Sequence, residues 1–195
     1  MEKTKLWRFV SCQLSQFLKQ YLSKSYAKQR LRAQNFPKVL AIDFDGCLTN
    51  DFVYVNADGI EFVQVTRKDG LGAARLSEIG IQVVIVSSEE NRVVTMRARK
   101  IGVDVIQGAS KKVEALREYV SEKGFTWEAT WFVGNELNDK DVMGNVTFSL
   151  CPKDASPEIK KLADVILPVK GGMGILNYIA RNLEGHRKTP SRRNS

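Results

Sequence analysis

Apolar residues in this chain fall into short runs separated by longer stretches of mixed character. Val39-Leu40-Ala41-Ile42, Ile81-Gln82-Val83-Val84-Ile85-Val86, Val103-Asp104-Val105-Ile106, Thr130-Trp131-Phe132-Val133, Val146 to Leu150 and Val165-Ile166-Leu167 are too short for helices and rich in β-branched residues. They read as buried strands. Between them, residues 70–79, 90–100, 110–123, 157–163 and 175–183 place apolar side chains three and four apart, which is helical spacing. The expectation is an α/β chain with a mostly parallel sheet covered by helices on both faces. One segment breaks the rhythm. Residues 52–56 and 60–65 flank Asn56-Ala57-Asp58-Gly59, the signature of a small β-hairpin inserted after the first strand.

The ends differ from the middle. In residues 6–22, Leu6, Val10, Leu14, Phe17, Leu18, Tyr21 and Leu22 line one face of an amphipathic helix whose other side carries Lys and Arg. Packing on protein is the default use of such a face, with another protein or a membrane surface as alternatives. Residues 1–36 read as this basic helical extension, 37–184 as one catalytic-sized domain and 185–195 as a disordered basic tail. The formal charge of +8 therefore comes from the two ends, while the body is mildly acidic. The basic helix is the one feature offering weak nucleic-acid or membrane contact, since the aromatic-basic motifs and zinc ligands of nucleic-acid binders are missing from its sequence. Three scattered cysteines give neither a disulfide framework nor a CxxC pair, which suits a reducing compartment. No apolar run approaches a membrane span, and the N-terminus has no signal-peptide pattern. A cytoplasmic location is expected.

The chemistry gathers where strands end. Asp43-Phe44-Asp45-Gly46 follows the first strand directly. Unpaired carboxylates are too costly for a core, so both belong at the sheet edge, where open α/β folds bind ligands. Two anions so close repel each other unless a proton or cation is shared, and a divalent metal is the economical answer. The residues that follow lack the ligand alternation of a calcium-binding EF-hand. Ser87 closes another strand, and Ser87-Ser88-Glu89-Glu90 looks like the N-cap of the next helix. Lys112 lies beyond the strand ending at Ile106, and Gly134-Asn135-Glu136-Leu137-Asn138-Asp139 beyond the strand ending at Val133. Individually, Ser87 reads as a helix cap, Lys112 as a solvated side chain and Gly134-Asn135 as a turn. Their order after successive parallel strands brings them to one rim.

In this order the segments resemble the four motifs of the haloacid-dehalogenase-like phosphatases. The spacing around the hairpin, Arg67-Lys68-Asp69-Gly70-Leu71-Gly72, Gln107 to Lys112 and Gly171-Gly172-Met173-Gly174 resemble a small capless group. That group contains 3-deoxy-D-manno-octulosonate 8-phosphate phosphatases, nonulosonate 9-phosphate phosphatases and the phosphatase-like domain of acylneuraminate cytidylyltransferases. The resemblance covers about residues 38–183. It implies a Rossmann-like three-layer sandwich without a cap domain, and Mg²⁺-dependent hydrolysis of a small phosphorylated sugar acid. It also implies a homotetramer in which the 52–65 hairpin reaches a neighbour. By resemblance Asp43 is the nucleophile and Asp45 the acid and base. Ser87 and Lys112 hold the phosphoryl group, and Asp43, Asp45, Asn135 and Asp139 form the metal set. Thr49, Lys68, Asp69, Gly70 and Ser88 are the implied substrate contacts, with Arg67 and Lys170 as further carboxylate partners.

Three positions depart from the pattern. Asn135 stands where the close relatives usually carry an Asp, which predicts weaker metal affinity. Ser88-Glu89 replaces Gly-Arg, and Met173 replaces the Arg of Gly-Gly-Arg-Gly; both remove partners for a sugar-acid carboxylate. The alternative expectation is a weak or inactive phosphatase-like domain with an oligomerisation or scaffold role in nonulosonate or CMP-sugar-acid biosynthesis.

Overall fold

The computed structural model describes residues 36–187 together with Ala27, Gln29 and Leu31. The expected amphipathic helix at 6–22 and residues 188–195 lie outside the described residues. Six strands form one parallel sheet: β1 (Val39–Ile42), β4 (Gln82–Val86), β5 (Asp104–Ile106), β6 (Thr130–Val133), β7 (Phe148–Cys151) and β8 (Val165–Ile166). Their spatial order is β5-β4-β1-β6-β7-β8. The hairpin, β2 (Thr49–Val55) and β3 (Glu61–Val65), forms its own antiparallel ribbon.

Parallel strands need crossovers, and the helices supply them on both faces. Here α1 (Arg67–Glu78), α2 (Val93–Ile101) and α6 (Ile175–Arg187) cover one face, where Leu40, Ile42, Val83, Ile85, Trp131 and Val133 meet Leu76, Val94, Ala98, Leu176 and Ile179. On the other face, α3 (Lys112–Glu122), α4 (Lys140–Asn145) and α5 (Pro157–Leu162) pack Leu116, Val120, Val142 and Ile159 against Val39, Ala41, Val84, Val86 and Phe132. Odd and even positions of β1 thus enter different cores, as a pleated strand buried on both sides requires. Ala27 and Leu31, one helical turn apart, are buried in the first core.

Several expected boundaries move, each because a side chain finds a different partner. The first helix starts at Arg67 rather than residue 70, because Thr66 Oγ1 accepts the Lys68 N–H and caps it. Ser87 does not cap the following helix. Its hydroxyl accepts the Glu89 N–H within a turn, and the helix begins at Val93, whose N–H donates to Asn91 Oδ1. Residues 185–187, expected in the tail, continue α6.

Strand order fixes where a site can form. From β1 the chain goes outward to β4 and β5, then returns to β6 on the other side of β1 and continues to β7 and β8. The crevice at the carboxyl ends of β1 and β6 is the switch point, where helices leave on opposite faces.

Candidate active site

Asp43 is the first residue past β1, and its own N–H donates to the Val133 carbonyl of β6 at 2.9 Å. The next five residues form one tight turn in which Gly46 takes a φ of 69°. A side chain at Gly46 would collide with the Asn135 amide, so the glycine lets the two loops touch. Asp43 Oδ1 accepts the Phe44 N–H at 2.8 Å, which fixes the carboxylate at the crevice.

Lys112 opens α3 and sends its ammonium across the crevice. Nζ lies 2.8 Å from Asp43 Oδ1 and 2.7 Å from Asp139 Oδ1. Lys112 is only 5% exposed and Asp139 is fully buried. The other oxygen of Asp139 accepts the Asn135 N–H at 2.8 Å and the Glu136 N–H at 3.4 Å, closing the loop after β6 on itself. A Cβ at Gly134 would lie 2.6 Å from Asp139, which explains the glycine there.

One ammonium thus faces two carboxylates, and the charge does not balance. Burial, together with the Asp139 charge, pushes the Asp43 carboxyl up to about 7 despite the opposing pull of Lys112. Lys112 is shared between Asp43 and Asp139. Burial works against the Lys112 ammonium as well, but the two carboxylates outweigh it and raise its pKa. Asp45 is half-buried. Burial, and then the charges of Glu89 and Asp51, raise its pKa too. A carboxyl pushed upward keeps its proton more readily, which suits an acid.

Of the metal set the resemblance implies, both Asp139 oxygens are engaged, by Lys112 and the loop N–H groups. Asn135 Oδ1 accepts the Cys47 thiol in a long 3.7 Å contact, which leaves Asp43 and the Asn135 amide oxygen as the side-chain oxygens nearest to serving a cation. Among the described residues no cluster of three or more His, Cys, Asp or Glu side chains is arranged to hold a metal. Mg²⁺ accepts one or two carboxylates with neutral oxygens and waters, so the residues fit it, with little charge to spare.

The remaining predicted residues separate into two groups. Ser87 is buried at the end of β4, one position beyond the residue level with Asp43 in the β1–β4 register. Ser88 Oγ accepts a long 3.5 Å contact from Asn138 Nδ2, so it borders the 135–139 loop. Thr49 is buried at the turn, where Oγ1 accepts the Gly46 N–H and donates to Asp45 Oδ1 at 3.4 Å. Its side chain holds the turn that carries Asp45.

Lys68, Asp69 and Gly70 lie in the first turn of α1, with neighbours other than the Asp43–Lys112–Asp139 cluster. Asp69 is 1% exposed and its Oδ1 accepts the Leu176 N–H at 2.9 Å, tying α1 to the start of α6. Gly70 packs on Ile101. The Lys68 stem lies against Gly174, beside a cavity that none of the crevice residues lines. The 171–174 segment does reach the crevice, as the Gly172 N–H donates to the Cys47 carbonyl at 3.0 Å. Asp154, which the sequence does not single out, secures that segment by accepting the Gly171 N–H. It also lines a cavity of about 200 Å³ with Asp51, Gly46 and Asn135. No local sequence signal joins residues so far apart.

Residues 81–179 match the haloacid dehalogenase-like hydrolase family. The 3-deoxy-D-manno-octulosonate 8-phosphate phosphatases of Salmonella typhi and Escherichia coli are each 28% identical over 149 residues, covering 76% of this chain and 79% of theirs. Among solved structures, a HAD family hydrolase from Streptomyces avermitilis is 35% identical, with a TM-score of 0.74 over 77% of this chain and 88% of that one. The 3-deoxy-D-manno-octulosonate 8-phosphate phosphatase from Yersinia pestis is 26% identical, with a TM-score of 0.75 over 83% and 87%.

Proposed function

We propose that this chain, which belongs to the haloacid dehalogenase-like hydrolases, carries a phosphate-monoester hydrolase site of the sugar-acid phosphatase kind, with turnover held low by Asn135. The observation that carries the reading is Lys112 bridging Asp43 and Asp139 at the switch point of the sheet. Asp43 supplies the nucleophilic oxygen, forming a bond to phosphorus as the ester oxygen departs. Asp45 gives that oxygen its proton, then takes one from the water that cleaves the aspartyl-phosphate. Lys112 and Ser87 hold the phosphoryl oxygens, and Asp139 positions Lys112. Mg²⁺, held by Asp43, the Asp45 carbonyl and Asn135, would supply positive charge to the phosphoryl oxygens and favour ionised Asp43. The substrate class, a small keto-sugar acid phosphorylated at its far end, is carried over from the relatives named above.

A second reading is favoured by one specific observation: the donor set has lost the charge that an Asp at position 135 would bring. On that reading the domain turns over too slowly to matter and serves assembly. Phe52, Tyr54, Val55 and Phe62 of the hairpin are 57–68% exposed, an apolar surface suited to burial in a homotetramer. The test is an assay of 8- and 9-phosphorylated keto-sugar acids and p-nitrophenyl phosphate with Mg²⁺. Turnover that falls at least about a thousandfold in Asp43→Asn supports the hydrolase. No turnover across the panel leaves the assembly reading. Asn135→Asp separates weak from absent: it is expected to lower the Mg²⁺ needed for half-maximal rate, and for half of any Mg²⁺-induced rise in Tm, by about tenfold.

A further inference from the structure

We propose that Asn91 is a positioning residue for the phosphoryl-holding side of the crevice, joining the Ser87 turn and the loop before Lys112 to the inserted hairpin. Asn91 is half-buried in the connection between β4 and α2. It bonds to none of Asp43, Asp45, Ser87 or Lys112, so it acts through the groups that it holds. This role rests on the hydrolase reading of the crevice.

Its polar groups reach different parts of the chain. Nδ2 donates to Glu61 Oε2, the first residue of β3, at 2.9 Å. Oδ1 accepts the Val93 N–H at 3.1 Å and caps α2. The main-chain N–H donates to Glu89 Oε1 at 3.0 Å, and the carbonyl accepts Gln107 Nε2 at 2.7 Å. Gln107 is held in turn by Thr95 Oγ1. The Ser87 turn and the residues after β5 are laced together beside this point. The Glu89 N–H donates to Ser87 Oγ at 3.0 Å, the Gly108 N–H to the Glu89 carbonyl at 3.2 Å, and the Ala109 N–H to the Ser87 carbonyl at 2.9 Å. That strip runs on into Lys112. Ser87 and Lys112, the two side chains assigned to the phosphoryl oxygens, therefore share one joint, and Asn91 is the residue that fastens it to the hairpin.

The hairpin leads back to the other side of the crevice. It begins at Thr49, whose hydroxyl holds the turn that carries Asp45. From Asp45 the chain runs through the hairpin to Glu61, and the Asn91 amide closes this path onto the Ser87 turn. Arg97 Nη2 makes a second tie, to the Thr66 carbonyl at 2.7 Å, but at the far end of β3. A hydrogen bond to a carboxylate is stronger than one between neutral groups. Breaking the Asn91–Glu61 bond opens the ring next to Ser87 and leaves every reacting group in place.

The test uses the full chain with Mg²⁺ and a pair of substitutions that exchange donor and acceptor. Asn91→Asp keeps an oxygen to cap α2 but sets a carboxylate against Glu61. Adding Glu61→Gln supplies a donor from the other side and restores the bond in reverse. Nitrogen–proton correlation NMR follows inorganic phosphate at the Ser87 amide, together with hydrogen exchange at the Glu89 and Gly108 amides. Turnover of p-nitrophenyl phosphate and urea unfolding are measured in parallel. Asn91→Asp is expected to raise the phosphate Kd and the KM about fivefold and to speed both exchange rates by a similar factor. The urea midpoint is expected to stay at the native value. The double variant is expected to bring each quantity back to within about twofold of native. Native-like affinity and exchange in Asn91→Asp would overturn the proposal. So would a loss that the double variant fails to restore, or a urea midpoint that falls in step with affinity, since either marks a merely structural role. Phosphate that leaves the native Ser87 amide unmoved sinks the hydrolase reading instead. The joint is then judged by exchange alone, and unchanged Glu89 and Gly108 rates in Asn91→Asp overturn it as well.

Discussion

The Asp43–Lys112–Asp139 cluster and the Thr49–Val65 hairpin break the usual burial rule in opposite directions. In the cluster, three charged side chains lie almost wholly inside the protein. In the hairpin, Phe52, Val53, Tyr54 and Val55 stand in solvent on both faces of a two-stranded ribbon. Each region is incomplete on its own, but in a different quantity. Each side chain of the cluster has hydrogen-bond partners, but the cluster is short of positive charge. The hairpin carries three acids and no Lys or Arg, and is short of covering area. A cation answers the first need, and a protein surface the second. The contrast separates what a small ligand does here from what an assembly does.

The largest effect is expected where charge is buried. Lys112→Met would leave Asp43 and Asp139 facing each other without a cation. Breaking a buried pair by removing one partner costs about 3–5 kcal/mol. Urea unfolding at neutral pH measures it. Adding Asp139→Asn should recover part of the loss, because one of the two stranded charges is gone. A loss below about 1 kcal/mol for Lys112→Met, the range of exposed pairs, would mean that the cluster is solvated and the contrast mistaken.

A smaller effect belongs to Asp69, the other buried carboxylate. Burial raises it to about 6, although the Leu176 N–H pulls it down. Its Oδ2 has no hydrogen-bond partner. An unfolded Asp titrates near 3.9, so the folded protein binds the extra proton between those values. Stability from this group is therefore present at low pH and lost as pH rises through about 6. Between pH 5 and 8 the loss amounts to roughly 1–2 kcal/mol. Asp69→Asn keeps an oxygen for Leu176 and removes the titration. Its stability relative to the native chain should rise by that amount between pH 5 and 8, read from paired urea curves. An unchanged difference would show that Asp69 is open to solvent.

These two carboxylates also show what the sequence could and could not disclose. Asp43 was legible because its neighbours announce a strand end, and parallel strand ends converge. The same logic reached Lys112 and Asp139, each next to a strand. Asp69 looks like a loop residue beside Gly70, and its partner Leu176 lies 107 positions away. Local pattern carries no trace of such a contact. The first helix begins early for a similar reason: Thr66 is an ordinary β-branched residue until its hydroxyl meets the Lys68 N–H. Ser87 erred the other way, as a good cap by composition drawn into the turn after β4. The strand order was implied only in part, since alternation predicts parallel pairing but not that β6 sits beside β1.

The smallest effect on stability, and the largest on assembly, is expected at the hairpin. Asn56 Oδ1 accepts the Asp58 and Ile60 N–H groups, Asn91 Nδ2 donates to Glu61 Oε2, and Val63 and Val65 pack on the first core, so the ribbon is held by its turn, its strand pairing, this tether and this packing. Its exposed aromatic rings contribute little to this. Phe52→Ser with Phe62→Ser should therefore change the unfolding free energy of the dissociated chain by no more than about 0.5 kcal/mol. The same double variant should lower the mass seen by sedimentation if the native chain associates, because apolar area is what an interface there would bury. A native chain that sediments as a monomer at micromolar concentration removes the assembly role from the hairpin. A double variant that unfolds far more easily would place those rings in the fold itself, and the opposition between a charge-starved crevice and an uncovered ribbon would no longer hold.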